Sequence, residues 1–248
     1  MAKLFGKEYL QDVFQRIGAR LGRKTTAFVL GGGAMCFRNQ KTGTKDLDIV
    51  FTGDPQAKAF FDHARKEGFS PLGRIGNEYR MMKAYGILEN KDEFRFDIFS
   101  GKVCGALALS KGMIARSEGF GAFGKLEVRL VSNEDVILFK GITQRARDAD
   151  DIAAVIRSSS IDWRIILEEC KAQSGSGNWY GLLYDKLAEI RAKHGIRAPI
   201  MGGLLKLDNQ SALEEAYARM LKGGASRADA LKELKRRGFR RKELASLS

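Results

Sequence analysis

The stretch that most restricts what this chain can become is FVLGGGAMCFRNQKTGTKDLDIVF, from Phe28 to Phe51. It reads as a strand over Ala27–Leu30, three glycines (Gly31, Gly32, Gly33), a short turn of helix over Ala34–Arg38, a polar loop over Asn39–Lys45, and a second strand. Side chains alternate along a strand, so Asp46 and Asp48 project to one side while Leu47 and Ile49 face a core on the other. Two neighbouring carboxylates repel, and a divalent cation is a common remedy. Glycines at the start of a helix let a backbone or a phosphate come close. The stretch therefore points to a cleft where phosphates and metal ions meet.

The flanking elements follow from periodicity. Leu10, Val13, Phe14, Ile17 and Leu21 recur at helical spacing in an amphipathic opening helix. Pro55–Lys66 reads as a second helix, and Glu78–Leu88 as a strand-like piece. In FRFDIF, Phe94, Phe96 and Ile98 share one face of a strand, and Arg95, Asp97 and Phe99 the other. An aspartate in so apolar a strand is costly unless paired, hydrogen-bonded or on a metal, so Asp97 is a candidate to join Asp46 and Asp48. A solvated sheet face is the alternative. Gly112–Arg116 and Lys125–Val131 read as two more strands around a glycine-rich bend.

The character changes near residue 131. Ser132, with Asp135 three residues on, is a capping-box-like helix start, and the pattern from Asn133 onward is helical. The expected organisation is α+β: a mixed sheet with flanking helices in residues 1–131, then a helical region with a basic tail in 132–248. Asp148, Asp150 and Asp151 stand where negative charge suits a helix start. Ser174–Asn178 reads as a linker, Trp179–Lys193 as a helix, and the region of Pro199, Gly202 and Gly203 as a loop. From Ala212 to Leu247 three short helices are expected, with Ser226 capping the middle one. This last stretch either lies on nucleic acid or is a solvated tail packed through Leu231, Leu234, Phe239 and Leu244.

Composition narrows the class. Forty-three Lys and Arg against 30 Asp and Glu give a net charge of +13, which favours a polyanionic partner, nucleic acid being the commonest. No apolar run is long enough to span a bilayer and no signal-peptide pattern opens the chain, so a cytoplasmic protein without membrane contact is expected. Cys36, Cys104 and Cys170 are odd in number and far apart, which favours plain thiols over a disulfide or zinc set. His63 and His194 share no ligand spacing and are expected at the surface.

In order and spacing these residues resemble the polymerase-β-like nucleotidyltransferase superfamily, whose pattern is a Gly-Gly at a helix start, Asp-x-Asp on the next strand and a third carboxylate on a later one. Here those are Gly31-Gly32, Asp46-Leu47-Asp48 and Asp97. A closer similarity is to minimal nucleotidyltransferases of the AbiEii toxin type, carried by Leu30–Ala34, by Thr44–Asp48 and by a downstream Lys…Arg-Asp…Asp pattern matched to Lys140, Arg147, Asp148 and Asp151. Residues 25–157 carry the similarity. Gly33 replaces the usual small hydroxyl residue after the glycine pair.

The resemblance implies a nucleotidyltransferase-type sheet and transfer of a nucleoside monophosphate from an NTP such as ATP. Asp46, Asp48 and Asp97 would be catalytic and hold Mg²⁺ or Mn²⁺; Gly31, Gly32, Lys45, Lys140, Arg147 and Asp148 would bind the nucleotide. Implied acceptors are RNA, with tRNA first, proteins or small molecules, and a toxin–antitoxin role would bring an antitoxin-like protein partner. Two other classes compete: a catalytically silent nucleic-acid-binding protein on the same fold, and a dinucleotide-binding domain. The latter needs G-x-G-x-x-G, and Cys36 stands where its last glycine belongs.

Overall fold

In FRFDIF every second side chain is a large apolar group, and the observed sheet is assembled around it. A computed structural model describes residues 3–72, 83–143, 145–174 and 179–247. Its first part runs α1 (Lys7–Arg20), β1 (Thr25–Val29), α2 (Gly31–Phe37), β2 (Asp46–Phe51), α3 (Asp54–Lys66), β3 (Ser70–Pro71), β4 (Gly86–Glu89), β5 (Arg95–Ser100), β6 (Lys102–Val103), β7 (Leu107–Ala108), α4 (Lys111–Arg116), β8 (Glu118–Phe123) and β9 (Leu126–Leu130). Helices follow: α5 (Asn133–Gly141), α6 (Asp148–Ser158), α7 (Trp163–Gln173), α8 (Trp179–His194), α9 (Met201–Lys222), α10 (Arg227–Arg236) and α11 (Arg241–Leu244). The fold is α+β, a mixed sheet flanked by helices with a helical carboxyl-terminal region.

Strand order is β3-β4-β5-β2-β1-β9-β8, with β6 and β7 attached beside β5. β2 runs parallel to β5 and β1 parallel to β9, while β1 and β2 are antiparallel. Phe96 is fully buried, its ring 5.1 Å from Phe60, 5.0 Å from Phe69 and 6.5 Å from Phe14. Burying one such ring contributes about 1.5–3 kcal/mol. Slipping β5 by one residue would expel Phe96 from these rings and turn Asp97 into them, so the apolar face sets the register of the polar one.

Several local expectations change. Lys111–Arg116 is a helix because the Ser110 hydroxyl caps it, accepting from the Met113 amide at 3.1 Å. The glycine-rich bend is itself strand β8, paired to β9. Gly202 and Gly203 lie inside α9, which begins eleven residues before the expected Ala212. Residues 78–82 of the expected Glu78–Leu88 strand and residues 175–178 of the expected linker lie outside the described residues; the strand that is described there is Gly86–Glu89. Cys36 and Cys170 are buried free thiols and Cys104 is half-buried. His63 and His194 are only part-buried, bonded to the Ala59 carbonyl and to Asp150.

Strands end at Leu130 and helices take over at Asn133, yet one apolar core runs from Phe5 through Leu204. Polar ties cross the same point: Gln40 donates to Asn133 (3.1 Å), Lys41 to Asp151 (3.1 Å), and Arg116 pairs with Asp135 and Glu169. A second small cluster gathers Leu213, Tyr217, Ala230 and Leu234. No helix among the described residues is long and apolar enough to cross a membrane.

Candidate functional site

The register of β2 on β5 pairs Asp48 with Asp97 and Asp46 with Arg95. Paired residues on adjacent strands point to the same side, so the three aspartates and Arg95 share the face opposite the phenylalanine cluster. Arg95 lies between two of them: its guanidinium donates to Asp97 at 2.8 and 3.0 Å and to Asp46 at 2.6 Å. Asp97 is buried, Asp46 half-buried. The R-x-D spacing puts Arg95 on the aspartate face in the sequence itself, but only the β2–β5 pairing gives it Asp46.

Asp48 differs from its neighbours. Its carboxylate has no hydrogen-bond donor among the described residues and lines a cavity of about 210 Å³. Burial, then the charges of Asp97 and Asp46, raise its pKa from 3.8 to about 7, against the opposing pull of Arg145 and Lys140. Asp97 is also raised, first by burial and then by Asp46, with Arg95 opposing. The pair therefore holds a proton more tightly than free carboxylates do.

The glycines serve this carboxylate directly. Gly31 has φ +51°, and a Cβ there would stand 2.9 Å from Asp48 Oδ2. At Gly33 a Cβ would lie 2.1 Å from Leu47 Cδ1, so α2 can sit on β2 only without a side chain there. Gly31→Ala is expected to fold with a stability loss on the order of 1–2 kcal/mol from the positive φ. It should also displace the Asp48 carboxylate, and a variant crystal structure with Asp48 unmoved would contradict this.

Across the cavity stand α5 and the turn leading to α6. The wall includes Phe139, Ile142, Val103 and Leu30 as apolar members, and Lys140, Arg145 and Asp148 as charged ones. The Lys140 ammonium donates to Asp148 (3.0 Å) and Asp151 (2.7 Å), and these carboxylates keep it charged against the cost of burial. Asp148 also accepts from the Thr143 hydroxyl, and Asp151 from Lys41. Arg145 lies at the mouth. Burial alone would lower its pKa, but the Asp48 charge, followed by Cys104, Asp148 and Asp46, raises it. The buried Lys186 donates to its carbonyl at 3.4 Å. Burial pushes the Cys104 thiol up to about 11, so it stays protonated at neutral pH and is a poor nucleophile.

Of the residues singled out from sequence, Gly31, Asp48, Lys140 and Asp148 line one cavity, and Asp46 and Asp97 couple electrically to Asp48. Gly32 faces Thr44 and Lys41. Lys45 is exposed beside Asp46, and Arg147 is the exposed N-cap residue of α6; neither lines the cavity. Arg145, two residues before Arg147, lines it and was not singled out. No sequence signal separates the two arginines, because the turn after Gly141 decides which one faces Asp48.

The donor set suits a hard divalent cation. No group of three or more Asp, Glu, His and Cys side chains among the described residues is gathered as a metal cage. Magnesium commonly takes only one or two carboxylates, with water and substrate phosphates completing its shell. Arg95 already pairs with Asp46 and Asp97, which leaves Asp48, with no donor among the described residues, as the carboxylate open to a cation. No protein-family model and no curated protein matches the chain.

Proposed function

We propose that this chain is a metal-dependent nucleotidyltransferase of the polymerase-β-like type, moving a nucleoside monophosphate from an NTP to an acceptor hydroxyl, with RNA, tRNA first, as the acceptor class. The observation that carries the reading is the register pair Asp48–Asp97 beside Asp46, of which Asp48 lines a cavity whose opposite wall holds Arg145 and Lys140. A carboxylate on one wall, with two more behind it, and the cation Arg145 facing it suit a triphosphate with its counter-ion.

Asp48, with Asp46 and Asp97, would hold the cation. When bound, it offsets the triphosphate charge and polarises the reacting phosphate. Arg145 is placed to take phosphate charge, since its guanidinium makes no ion pair among the described residues and feels the charge of Asp48 across the cavity. Lys140 is committed to Asp148 and Asp151, so its part is to hold α5 against α6 and shape the wall. Asp97, oriented by both nitrogens of Arg95, accepts the proton of the acceptor hydroxyl. Phe139, Ile142 and Val103 offer an apolar surface for a base. The net charge of +13 favours RNA over a neutral acceptor.

Incubation with each α-phosphate-labelled NTP, Mg²⁺ or Mn²⁺, and either total tRNA or the protein alone should place label on tRNA only when metal is present. Label on the protein would move the acceptor class. No label from any NTP with either metal would overturn the transferase reading and favour a silent nucleic-acid-binding protein.

A further inference from the structure

We infer that the carboxyl-terminal helical unit formed by the end of α9, α10 and α11 is a phosphate-gripping surface that holds RNA. Residues 231–242 contain seven Lys and Arg and one Glu, a net of +6 out of +13 for the whole chain. Such a density repels itself, a cost that an anionic partner relieves.

These charges are displayed on a folded element. Ala230 and Leu234 of α10 bury against Leu213 and Tyr217 of α9, with Leu231 and Phe239 packed at the edge. Helical spacing then sends Lys232, Lys235 and Arg236 outward, and all three are exposed. The helix begins at the Ser226 cap, which accepts from the Asp229 amide at 3.1 Å. It ends in a glycine turn: Gly238 takes φ +98°, and the Phe239 amide returns to the Leu234 carbonyl at 3.2 Å. That turn lays Phe239 back on the small core, and the Arg240 amide donates to Glu243 at 2.7 Å. Backbone on both sides of the basic run is thus fixed, so a partner meets charges already positioned.

Internal neutralisation is partial. Glu233 pairs with Arg237 (3.0 Å) and Arg236 (3.5 Å), while the side chains of Lys232, Lys235 and Arg240 have no acidic partner among the described residues. A groove of about 620 Å³ runs beside Arg240, lined in part by Lys206, Asn209 and Phe239. Basic and amide groups around one aromatic edge suit a sugar–phosphate chain. A protein interface would instead show a charge-poor apolar centre, whereas Leu205 and Leu213 share this groove with Lys206, Arg240 and Glu243. The phosphate grip stands on these charges alone; the choice of RNA over DNA rests on the transfer reading above.

The test is fluorescence anisotropy of labelled tRNA against the full chain over a salt series, compared with the triple variant Lys232→Gln, Lys235→Gln, Arg240→Gln. Wild type should bind with a steep salt dependence. The variant should bind roughly tenfold or more weakly, and its slope of log K on log salt should be shallower by about 2, from three lost contacts. Its melting temperature should match wild type, as the three side chains are exposed. Unchanged affinity and slope would overturn the inference, as would displacement of tRNA by polyglutamate at matched charge, which would reassign the surface to an acidic protein. Duplex DNA bound more tightly than tRNA would overturn the commitment to RNA. A wild-type chain that binds tRNA with this salt dependence yet transfers no nucleotide from any NTP with either metal would sink the transferase reading alone.

Discussion

Asp48→Asn is expected to abolish metal-dependent transfer and, without metal, to make the protein more stable above pH 7. The two effects share a cause. Asp48 is held near Asp97 and Asp46 in a poorly hydrated cavity, which raises its pKa from 3.8 to about 7. The unfolded chain ionises this group near pH 4, whereas the folded chain keeps it protonated until about pH 7. Below the lower value both states carry the proton and the group costs nothing. Between the two values the folded state binds more protons than the unfolded one, so stability falls as pH rises, and above pH 7 the loss is complete.

Asparagine has no charge to lose, so the variant should lack this decline. Its melting temperature should exceed that of wild type by several degrees at pH 8 and match it near pH 4, at roughly 2–4 °C per kcal/mol for a chain of this size. Added Mg²⁺ should raise the wild-type melting temperature more at pH 8 than at pH 5 and leave the variant unmoved. Removing a cation's main carboxylate costs several kcal/mol of transition-state stabilisation, a loss of about 10³-fold or more in transfer rate. Equal pH profiles for the two proteins would contradict the electrostatic assignment of Asp48, and wild-type transfer by the variant would contradict its catalytic one.

The part of this site that was legible in sequence is the part set by local rules. Asp46 and Asp48 share a face because strands have period two, and the tripeptide Gly31–Gly33 precedes them because a Cβ at Gly31 or Gly33 would strike Asp48 or Leu47. Asp97 was legible only as an anomaly in an apolar strand. That it lies beside Asp48 depends on parallel pairing across 49 residues, fixed by where Phe96 finds its rings. The same limit hid Arg145. Local spacing makes Arg145 and Arg147 equivalent candidates, and the break between α5 and α6, stabilised by Lys140 bridging Asp148 and Asp151, turns one into the cavity and leaves the other exposed. Gly112–Arg116 reads as a strand for a simpler reason: so few residues of mixed polarity carry little periodic signal, and the Ser110 cap decides for the helix Lys111–Arg116.

Arg145 and Lys140, the two cations lining the cavity, should respond to removal in opposite ways. Lys140 is nearly buried and bonded to two acids, Asp148 and Asp151, themselves nearly buried. Lys140→Met keeps the stem but leaves those carboxylates without their main counter-charge, Lys41 remaining on Asp151. Breaking such a pair from one side costs about 3–5 kcal/mol, so a fall in melting temperature on the order of 10 °C is expected, with activity lost through the wall's collapse. Arg145 is exposed at the mouth and has no ion pair among the described residues to break. Arg145→Met should melt within about 2 °C of wild type, yet lose roughly 10²–10³-fold in kcat because phosphate charge developing in the transition state meets no cation there. Asp148→Asn, which weakens only one arm of the Lys140 bridge, should fall between them in stability. Thermal melts and steady-state transfer measured on the same preparations separate the roles. A large stability loss in Arg145→Met with normal kcat, or a stable and inactive Lys140→Met, would exchange the two assignments and make Lys140 the residue that meets the triphosphate.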